Sequence, residues 1–321
     1  MIFRNLTMTA LLIIGMLSGP LYHNPVCSMS LPDPTVINVD GTFWLYATEA
    51  TRNVPIMKSV NLLDWNLEGT VFTERTRPGF VERGGIWSPD INRIGDKYVL
   101  YYSMSVWNGI NTCGIGVAVS RSPEGPWKDC GKLLDSASTG VKNSIDPFHI
   151  EDAGRHYLVW GVNYGIWCIE LSSDGLSVKK GAKPGKLAGD LFGAPTIHKR
   201  AGSYYLIMSA GTYGSARRSQ GRIVVAKAES LTGPYLDRNG RSAVDGNAED
   251  LICSSTEFVG VSHNSRLLPD RNGDDWIMYH AYWSRHEDSG RMLMLDKIQW
   301  KNGWPTVDGG VPSTASRLPE F

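Results

Sequence analysis

The chain has 321 residues, 42% of them hydrophobic, and its 32 Lys and Arg residues balance 32 Asp and Glu residues, so the formal net charge is zero. This composition provides enough apolar material for a folded core. It offers no electrostatic basis for binding nucleic acid or an anionic membrane surface.

The N-terminus has the pattern of an export signal. Arg4 supplies a positive charge, and an apolar run follows from Leu6 to Leu17. A run of this length is typical of a secretory signal peptide and is too short for a stable membrane anchor. We therefore predict a signal peptide over residues 1–19, a single domain over residues 20–321, and export to the periplasm or the extracellular space. The alternative is a disordered or packed N-terminal strand, and no later segment predicts a membrane span.

One pattern recurs five times along the chain: a turn with an acidic or polar residue, a short apolar strand, a glycine, and an aromatic strand. The hairpin glycines lie roughly 50 to 70 residues apart, a spacing that indicates a propeller or solenoid. The pattern therefore predicts an all-β fold, a five-bladed β-propeller. Its copies are LPDPTVINVDGTFWLYA at 31–47, WSPDINRIGDKYVLYYS at 87–103, IDPFHIEDAGRHYLVWG at 145–161, GAPTIHKRAGSYYLIMS at 193–209 and HNSRLLPDRNGDDWIMYHAY at 263–282.

A second pattern follows the first in four of the copies. It pairs a strand with a turn rich in Ser, Gly or Pro, at residues 57–69, 118–131, 169–181 and 226–240. These segments predict the outer hairpins of the blades. No segment shows a sustained 3.6-residue apolar period, so long helices are not expected.

The residues that open the innermost strands of a propeller converge on one rim of its channel. In this chain the rim is predicted to gather Asp33, Trp87, Asp146, the segment around Gly193, and His263. One Asp next to Pro is a common turn residue. Two such carboxylates on the same rim, beside an indole and an imidazole, predict a sugar site and glycoside hydrolysis.

The motifs that carry these residues resemble glycoside hydrolase family 43, whose members are five-bladed propellers acting on arabinan, arabinoxylan and related plant polysaccharides. The likeness runs from Asn24 to Pro312 and is closer to the arabinan-degrading members. A β-xylosidase-type member of the family stays an alternative. The resemblance implies inversion of configuration. It is carried by the motifs NPV, LPDPTVI, IWSPDI, SIDPFHI, APTIHKRAGSYYL, HNS with DDWIMYHAYW, and GRMLMLDKIQWKNGWP.

The resemblance also implies roles for individual residues. Asp33 is expected to be the general base, and Asp146 to orient the acid and raise its pKa. Trp87 is expected to lie against the sugar, His263 to help hold a central ion or water, and Arg291 to contact the site. No cofactor is expected to be required, although the family implies a structural calcium or other ion in the channel. A monomer acting on arabinan or arabinoxylan chains or oligosaccharides is expected.

One position departs from the family pattern. The family places Glu immediately before the Ala-Pro pair that opens the fourth blade, and this chain has Gly193 there, in LFGAPTIHKR. Glycine cannot donate a proton, and general acid catalysis is worth about 10² to 10⁴ in rate. Asp190, three residues upstream, is the candidate substitute acid.

Three classes of function follow from this departure. The first is an inverting glycosidase that cleaves α-L-arabinofuranosyl linkages. The second is a catalytically impaired, carbohydrate-binding propeller, and the third is a protein-interaction scaffold. The joint presence of the other site residues argues against the scaffold.

Two further features of the sequence say little about function. Endo or exo action depends on the loops around 107–113 and 212–218, which the sequence leaves undecided. The five cysteines show no metal-binding or disulfide spacing and are expected to be core thiols.

Overall fold

The structure, a computed structural model, describes residues 19–211 and 218–321. It contains five four-stranded antiparallel sheets that follow one another along the chain. The predicted all-β, five-bladed propeller is confirmed. The predicted signal peptide, apart from Gly19, lies outside the described residues.

The first two blades use residues up to 135. A short strand, β1 (Leu21–His23), precedes them. Blade I consists of β2 (Thr35–Val39), β3 (Thr42–Tyr46), β4 (Pro55–Ser59) and β5 (Asn66–Thr70). Blade II consists of β6 (Gly85–Ile94), β7 (Lys97–Ser105), β8 (Gly114–Ser120) and β9 (Lys128–Asp135), and the short helix α1 (Ser136–Thr139) follows it.

The remaining three blades follow in order. Blade III consists of β10 (Phe148–Asp152), β11 (Arg155–Trp160), β12 (Ile166–Glu170) and β13 (Gly185–Ala188). Blade IV consists of β14 (Phe192–Arg200), β15 (Ser203–Ala210), β16 (Arg222–Ala228) and β17 (Glu249–Cys253). Blade V consists of β18 (Phe258–Ser262), β19 (Leu268–Pro269), β20 (Asp275–Trp283) and β21 (Arg291–Lys297).

Short elements complete the chain. A hairpin is formed by β22 (Gln299–Lys301) and β23 (Trp304–Thr306), and the last strand is β24 (Ala315–Arg317). Single 3-10 turns occur at Ala243–Asp245, Glu287–Ser289 and Asp308–Gly310. Within the described ranges no helix has both the length and the apolar character needed to cross a membrane.

The predicted hairpin glycines join the first two strands of the blades. In blade I, Asp40 and Gly41 have φ angles of 50° and 83°. Positive φ at both central residues defines the type I′ turn, whose twist matches that of the strands it connects. The same pair of positive φ angles recurs at Ala153 and Gly154 and at Ala201 and Gly202, so this turn sets the register of the inner hairpin in blades I, III and IV.

The last blade is completed by the N-terminal segment. Strands β18 and β19 lie on one side of β20, and β21 lies on the other. The outer edge of β21 is covered by residues 24–31, since Val26 N–H donates to Leu293 O at 2.9 Å and Leu31 N–H donates to Arg291 O at 3.0 Å. Strand β1 also pairs with β24. The two ends of the chain thus close the ring and leave this edge without exposed pairing groups.

The predicted outer hairpins are only partly correct in blades III and IV. Segments 169–181 and 226–240 form small turns, each with an isolated bridge, Leu171 to Val178 and Lys227 to Leu236. The fourth strands begin later, at Gly185 and Glu249. Gly, Pro and Ser mark where the chain turns, but not whether the chain after the turn rejoins the ladder.

Apolar packing between neighbouring blades forms the core. Five separate clusters of buried residues each join two adjacent blades, and the cluster between blades V and I includes Tyr22, Val26 and Leu31 of the N-terminal segment. The described cysteines form no disulfide. The expectation that all are core thiols is wrong for Cys130, which is exposed, while Cys113 and Cys168 are buried.

Candidate active site

Five residues in a left-handed backbone conformation mark equivalent places in the innermost strands. Such φ values are strained for residues other than glycine. Their recurrence in every blade therefore indicates one shared turn, and four of the five line a common cleft at one end of the channel. They are Asp33 (52°), Ser88 (44°), Asp146 (59°), Ala194 (50°) and His263 (46°).

A side chain from the preceding blade accepts a hydrogen bond from the backbone N–H of four of these residues. The pairs are Asp33 with His280 Nδ1 at 3.0 Å, Ser88 with Thr48 Oγ1 at 2.7 Å, Asp146 with Ser103 Oγ at 2.8 Å and His263 with Ser209 Oγ at 2.8 Å. Blade III has Gly161 at the equivalent position, where a Cβ would overlap the carbonyl oxygen of Gly165. The junction of blades III and IV therefore lacks the side chain that the other junctions supply.

The cleft has a volume of about 750 Å³, in the range of small-molecule sites. It brings together five of the residues singled out from the sequence: Asp33, Trp87, Asp146, His263 and Arg291. Residues 212–217, part of a loop expected to border the site, lie outside the described residues. Among the described residues that line the cleft, Asp33 and Asp146 are the only carboxylates.

Asp33 is buried among positive and hydrogen-bonding groups. Its Oδ1 accepts a hydrogen bond from Arg291 Nη1 at 2.8 Å, and its Oδ2 accepts one from the Thr48 hydroxyl at 2.5 Å. His263 Nδ1 lies 3.4 Å from Oδ1. Burial, the largest single influence, acts to raise the pKa of Asp33, but the Arg291 charge and the smaller effects of groups such as His263 and Thr48 together outweigh it. The pKa is held well below its usual value, so Asp33 is ionised.

His280, which the sequence did not single out, holds the backbone of Asp33 through its N–H. Its side chain is buried, and burial followed by the nearby Arg291 charge holds its pKa well below the usual value. His280 is therefore neutral, and its Nδ1 accepts the Asp33 N–H. The approach of Nδ1 to Asp33 Oδ1, 3.4 Å, is accordingly not an ion pair.

Asp146 lies in the same cleft in a different electrostatic environment. Burial raises its pKa, and the negative charge of Asp33 acts in the same direction, while His263 and Ser88 partly offset the rise. The pKa values of the two carboxyl groups are thus pushed apart. Such separation is the usual mark of groups with different proton-transfer roles.

Two indole rings stand at one side of the cleft. The rings of Trp87 and Trp107 are 5.7 Å apart between centroids, with an interplanar angle of 49°. Trp107 is 88% exposed, whereas Trp87 is half-buried. A Cβ at Gly85 would overlap the Trp87 indole, so the absence of a side chain there lets the ring fold over the strand. Exposed aromatic faces of this kind suit the apolar faces of sugars.

A positively charged side chain lies in the channel behind the cleft. Arg266, between β18 and β19, donates from Nη2 to Asn92 Oδ1 at 2.7 Å and to Asp90 Oδ1 at 3.3 Å. Its guanidinium lies 5.4 Å from the Phe148 ring centroid. Over residues 19–211 and 218–321, no group of three or more His, Cys, Asp or Glu is placed to hold a metal ion. The structural calcium expected beside His263 is therefore not supported.

The position of the expected acid is occupied by apolar contacts. Gly193 pairs with Val162 in an isolated bridge. A Cβ on Gly193 would overlap the Val162 Cγ2 methyl and lie 2.9 Å from its Cβ and 3.2 Å from its Cα. Val162 is 7% exposed and packs with Cys113 and Ile145. A side chain at 193 would thus overlap Val162, which lies between β11 and β12.

Asp190, the candidate substitute acid, lies away from the cleft. It is not among the residues that line the cleft. Its carboxylate forms an ion pair with Lys186 at 2.8 Å, and its side chain is 63% exposed. The expectation that it could reach the glycosidic oxygen therefore finds no support in its placement.

Several site residues were missed in the sequence. Thr48, Ser103, Ser209 and His280 lie seven or eight residues after the hairpin glycines, in the aromatic strands of the repeat. Aligning those strands by the glycine would have shown Thr48, Ser209 and His280 at the same place in three blades, with Ser103 one residue further on in blade II. Val162 directly follows the equivalent position in blade III, and no feature of the sequence marks it as a site residue.

Comparisons with known proteins agree with this architecture. An extracellular endo-α-(1→5)-L-arabinanase of Bacillus subtilis is 30% identical over 290 residues, which cover 86% of this chain and 87% of that protein. An extracellular exo-α-(1→5)-L-arabinofuranosidase of Cellvibrio japonicus is 29% identical over 308 residues, 86% of each chain. The solved α-L-arabinanase of Cellvibrio cellulosa, in complex with arabinohexaose, superposes with a TM-score of 0.79 at 26% identity, covering 89% of this chain and 99% of that one.

The family itself is identified by a match along most of the chain. Residues 22–305 match the family described as glycosyl hydrolases family 43, and they include all five blades and every cleft residue named above. Because this match and the similarity to the Bacillus subtilis arabinanase both extend over more than two thirds of the sequence, the chain belongs to glycosyl hydrolases family 43.

Proposed function

We propose that this protein is an exported, inverting glycosidase acting on α-L-arabinofuranosyl linkages of arabinan-type polysaccharides. The observation that carries the proposal is the ionised Asp33, fixed by Arg291, Thr48 and His280 on the floor of a sugar-sized cleft. The similarity to two arabinan-active enzymes supports the choice of sugar. The same similarity to extracellular proteins supports export, with residues 1–19 as signal and residues 20–321 as one monomeric domain.

Asp33 acts as the general base. Its carboxylate takes a proton from a water molecule as the water oxygen attacks the anomeric carbon, and attack on the face opposite the leaving group inverts the configuration. Arg291 keeps the carboxylate ionised and fixes Oδ1. The Thr48 hydroxyl fixes Oδ2, so that the carboxylate plane is set before substrate arrives.

Asp146 and Trp87 bind and orient the sugar. The carboxyl group of Asp146, whose pKa is raised by burial, faces the cleft and can hydrogen-bond to a sugar hydroxyl. The Trp87 ring, half-buried at the wall of the cleft, provides a stacking surface for the sugar ring. These contacts need no proton donor at position 193.

A second function, binding without efficient turnover, is favoured by the Gly193 and Val162 contact. Loss of a general acid costs about 10² to 10⁴ in rate, while the binding contacts remain. A sugar-binding propeller and a slow glycosidase differ only in whether water attack still occurs at Asp33.

The test measures both sugar binding and substrate hydrolysis by the unmodified protein. Calorimetry with linear α-1,5-linked arabino-oligosaccharides is expected to detect binding, and Trp87→Ala is expected to weaken it. Chromatography of the products is expected to show slow release of arabinose or short oligosaccharides that Asp33→Asn abolishes. Binding with no release would favour the second function, and absence of binding to both arabino- and xylo-oligosaccharides would remove both.

A further inference from the structure

A nearly buried ion pair lies next to the lining of the cleft. Glu49 and Arg77 are joined by two hydrogen bonds of 2.6 Å each, and their side chains are only 10% and 12% exposed. Neither residue lines the cleft itself. Such a pair adds little net stability to a fold, because its attraction must first offset the lost hydration of both charges. Several of its remaining hydrogen bonds go to the backbone just before Trp87.

The pair holds the chain that leads into Trp87. Glu49 Oε1 accepts the Ile86 N–H at 2.8 Å, and the Ile86 carbonyl accepts the Glu49 N–H at 3.3 Å. Arg77 Nη2 donates to the Gly84 carbonyl at 3.0 Å. Strand β7 pairs along the other edge of this segment. The segment is therefore held from both of its edges.

The position of the Trp87 ring depends on that segment. The indole lies against Gly85, where an added Cβ would overlap the indole nitrogen. On the other side of Trp87, the Ser88 N–H donates to Thr48 Oγ1 at 2.7 Å, and the same hydroxyl donates to the carboxylate of the proposed base. Thr48 and Glu49, adjacent in the chain, thus hold the backbone after and before the ring.

Glu49 is ionised in this environment. Burial acts to raise its pKa, but the Arg77 hydrogen bonds and the N–H groups of Asn53 and Ile86 together hold the pKa below its usual value. Its Oε1 accepts from Ile86, and its Oε2 accepts the Asn53 N–H at 3.0 Å. Hydrogen bonds to an ionised acceptor are stronger than those to a neutral one, which suits a group that fixes backbone.

We propose that Glu49 and Arg77 are positioning residues for Trp87. This inference rests on the proposed function, because it uses the sugar-stacking role given to that ring. The pair fixes the backbone before Trp87, and hence the ring, without lining the cleft itself. A stacking surface contacts the sugar both before and during the reaction, so loss of the pair should raise KM and leave kcat nearly unchanged. The pH dependence of the rate should not change, because other residues hold Asp33.

The first test measures hydrolysis of 4-nitrophenyl α-L-arabinofuranoside and calorimetric binding of arabino-oligosaccharides. Arg77→Met is expected to raise KM and Kd about three- to tenfold, the range of one aromatic contact, and to keep kcat within about twofold. Arg52→Met is the matched control. It makes the same exchange in an exposed ion pair, that of Arg52 with Glu74, and is expected to change none of these constants.

A double-mutant cycle with Trp87→Ala separates positioning from general destabilisation. In the Trp87→Ala background there is no ring to position, so Arg77→Met is expected to cause no further rise in KM. An equal rise in both backgrounds, or a fall in kcat with KM unchanged, would overturn the proposal. If Arg77→Met does not fold because Glu49 is left unpaired, Arg77→Met combined with Glu49→Gln removes both charges and is assayed in its place, with the same expectations.

A measurement without substrate distinguishes this proposal from the proposed function. The protein is labelled with fluorotryptophan, and the fluorine NMR resonance of Trp87 is identified among the eleven tryptophans by its loss in Trp87→Phe. Arg77→Met is expected to shift or broaden this resonance, whereas Arg52→Met leaves it unchanged. An unaltered resonance in Arg77→Met would overturn the positioning role whatever the activity. An altered resonance in a protein that binds and hydrolyses no arabinofuranoside would leave the pair's hold on the ring standing and overturn the proposed function.

Discussion

Rebuilding the general acid should require two substitutions. Glu at position 193 cannot be accommodated while Val162 is present, because its Cβ would overlap the Val162 methyl group. Val162→Gly removes the Cγ2 and Cβ contacts, so that the nearest atom of residue 162 to the new Cβ is its Cα, at 3.2 Å, a contact that a small backbone shift relieves. We therefore expect Gly193→Glu to restore arabinan cleavage only in combination with Val162→Gly.

The expected magnitudes follow from two effects: the rate gained from a general acid and the stability lost through overpacking. A correctly placed acid should raise kcat/KM on arabinan by about 10² to 10⁴. Gly193→Glu alone should gain little and lose about 1–3 kcal/mol of stability through overpacking. Val162→Gly alone should gain nothing in rate. A gain of about 10² that appears only in the double variant corresponds to a coupling free energy of about 2.7 kcal/mol.

The assay measures kcat/KM on linear arabinan and on 4-nitrophenyl α-L-arabinofuranoside. It compares the unmodified protein, the two single variants and the double variant. The arabinan rate should rise far more than the aryl rate, because a phenolate leaves without a proton. Val162→Gly with Gly193→Gln is the matched control, since Gln has nearly the shape of Glu and no acidic proton. Asp33→Asn in the rebuilt enzyme should abolish both activities.

Three results would refute this reasoning. An equal gain with Gln would mean that the new side chain acts by binding and not by proton transfer. Full restoration by Gly193→Glu alone would mean that Val162 does not block the position. High arabinan activity in the unmodified protein would mean that another group already donates the proton.

Other perturbations test the electrostatics of the fold and the site. Arg291→Met removes the charge that lowers the pKa of Asp33, so the acidic limb of the pH–rate profile on aryl arabinosides should move to higher pH; an unchanged limb would exclude Asp33 as the titrating base. Burial raises the pKa of Asp296 to about 6. Because the folded state then binds the proton more tightly than the unfolded state, the contribution of Asp296 to stability should be fully present below about pH 4 and be lost, by about 3 kcal/mol, as pH rises from about 4 to 6; urea unfolding of Asp296→Asn should lack this loss. Arg266→Met removes the positive charge beside the buried Asp90 carboxylate and should cost about 3 kcal/mol at neutral pH, whereas Arg271→Met, at an exposed residue, should have no effect; equal unfolding midpoints for the two would mean that Arg266 does not stabilise the packing of the blades.

The sequence alone determined the number of blades and the rim on which the site lies. The hairpin glycines and the Asp-Pro turns are local signals, because positive φ and fixed proline geometry restrict the backbone within a few residues. Repetition of these signals then counts the blades. The same repetition placed Asp33, Asp146 and His263 at equivalent positions, and the structure brings them to one cleft. The sequence also shows Gly193 at the position where the family resemblance implies a Glu, because the motif around it can be recognised.

The tertiary structure decided which groups meet those residues. His280 lies 247 positions from Asp33 along the chain and accepts its N–H, a contact made only when blade V closes against blade I. The same closure recruits residues 24–31 as the outer edge of the last blade. Val162 against Gly193, Arg266 in the channel and Asp190 on the surface are likewise contacts between segments distant in sequence. No local pattern specifies such contacts, since they depend on how neighbouring blades pack, and they decide which proton-transfer chemistry this cleft retains.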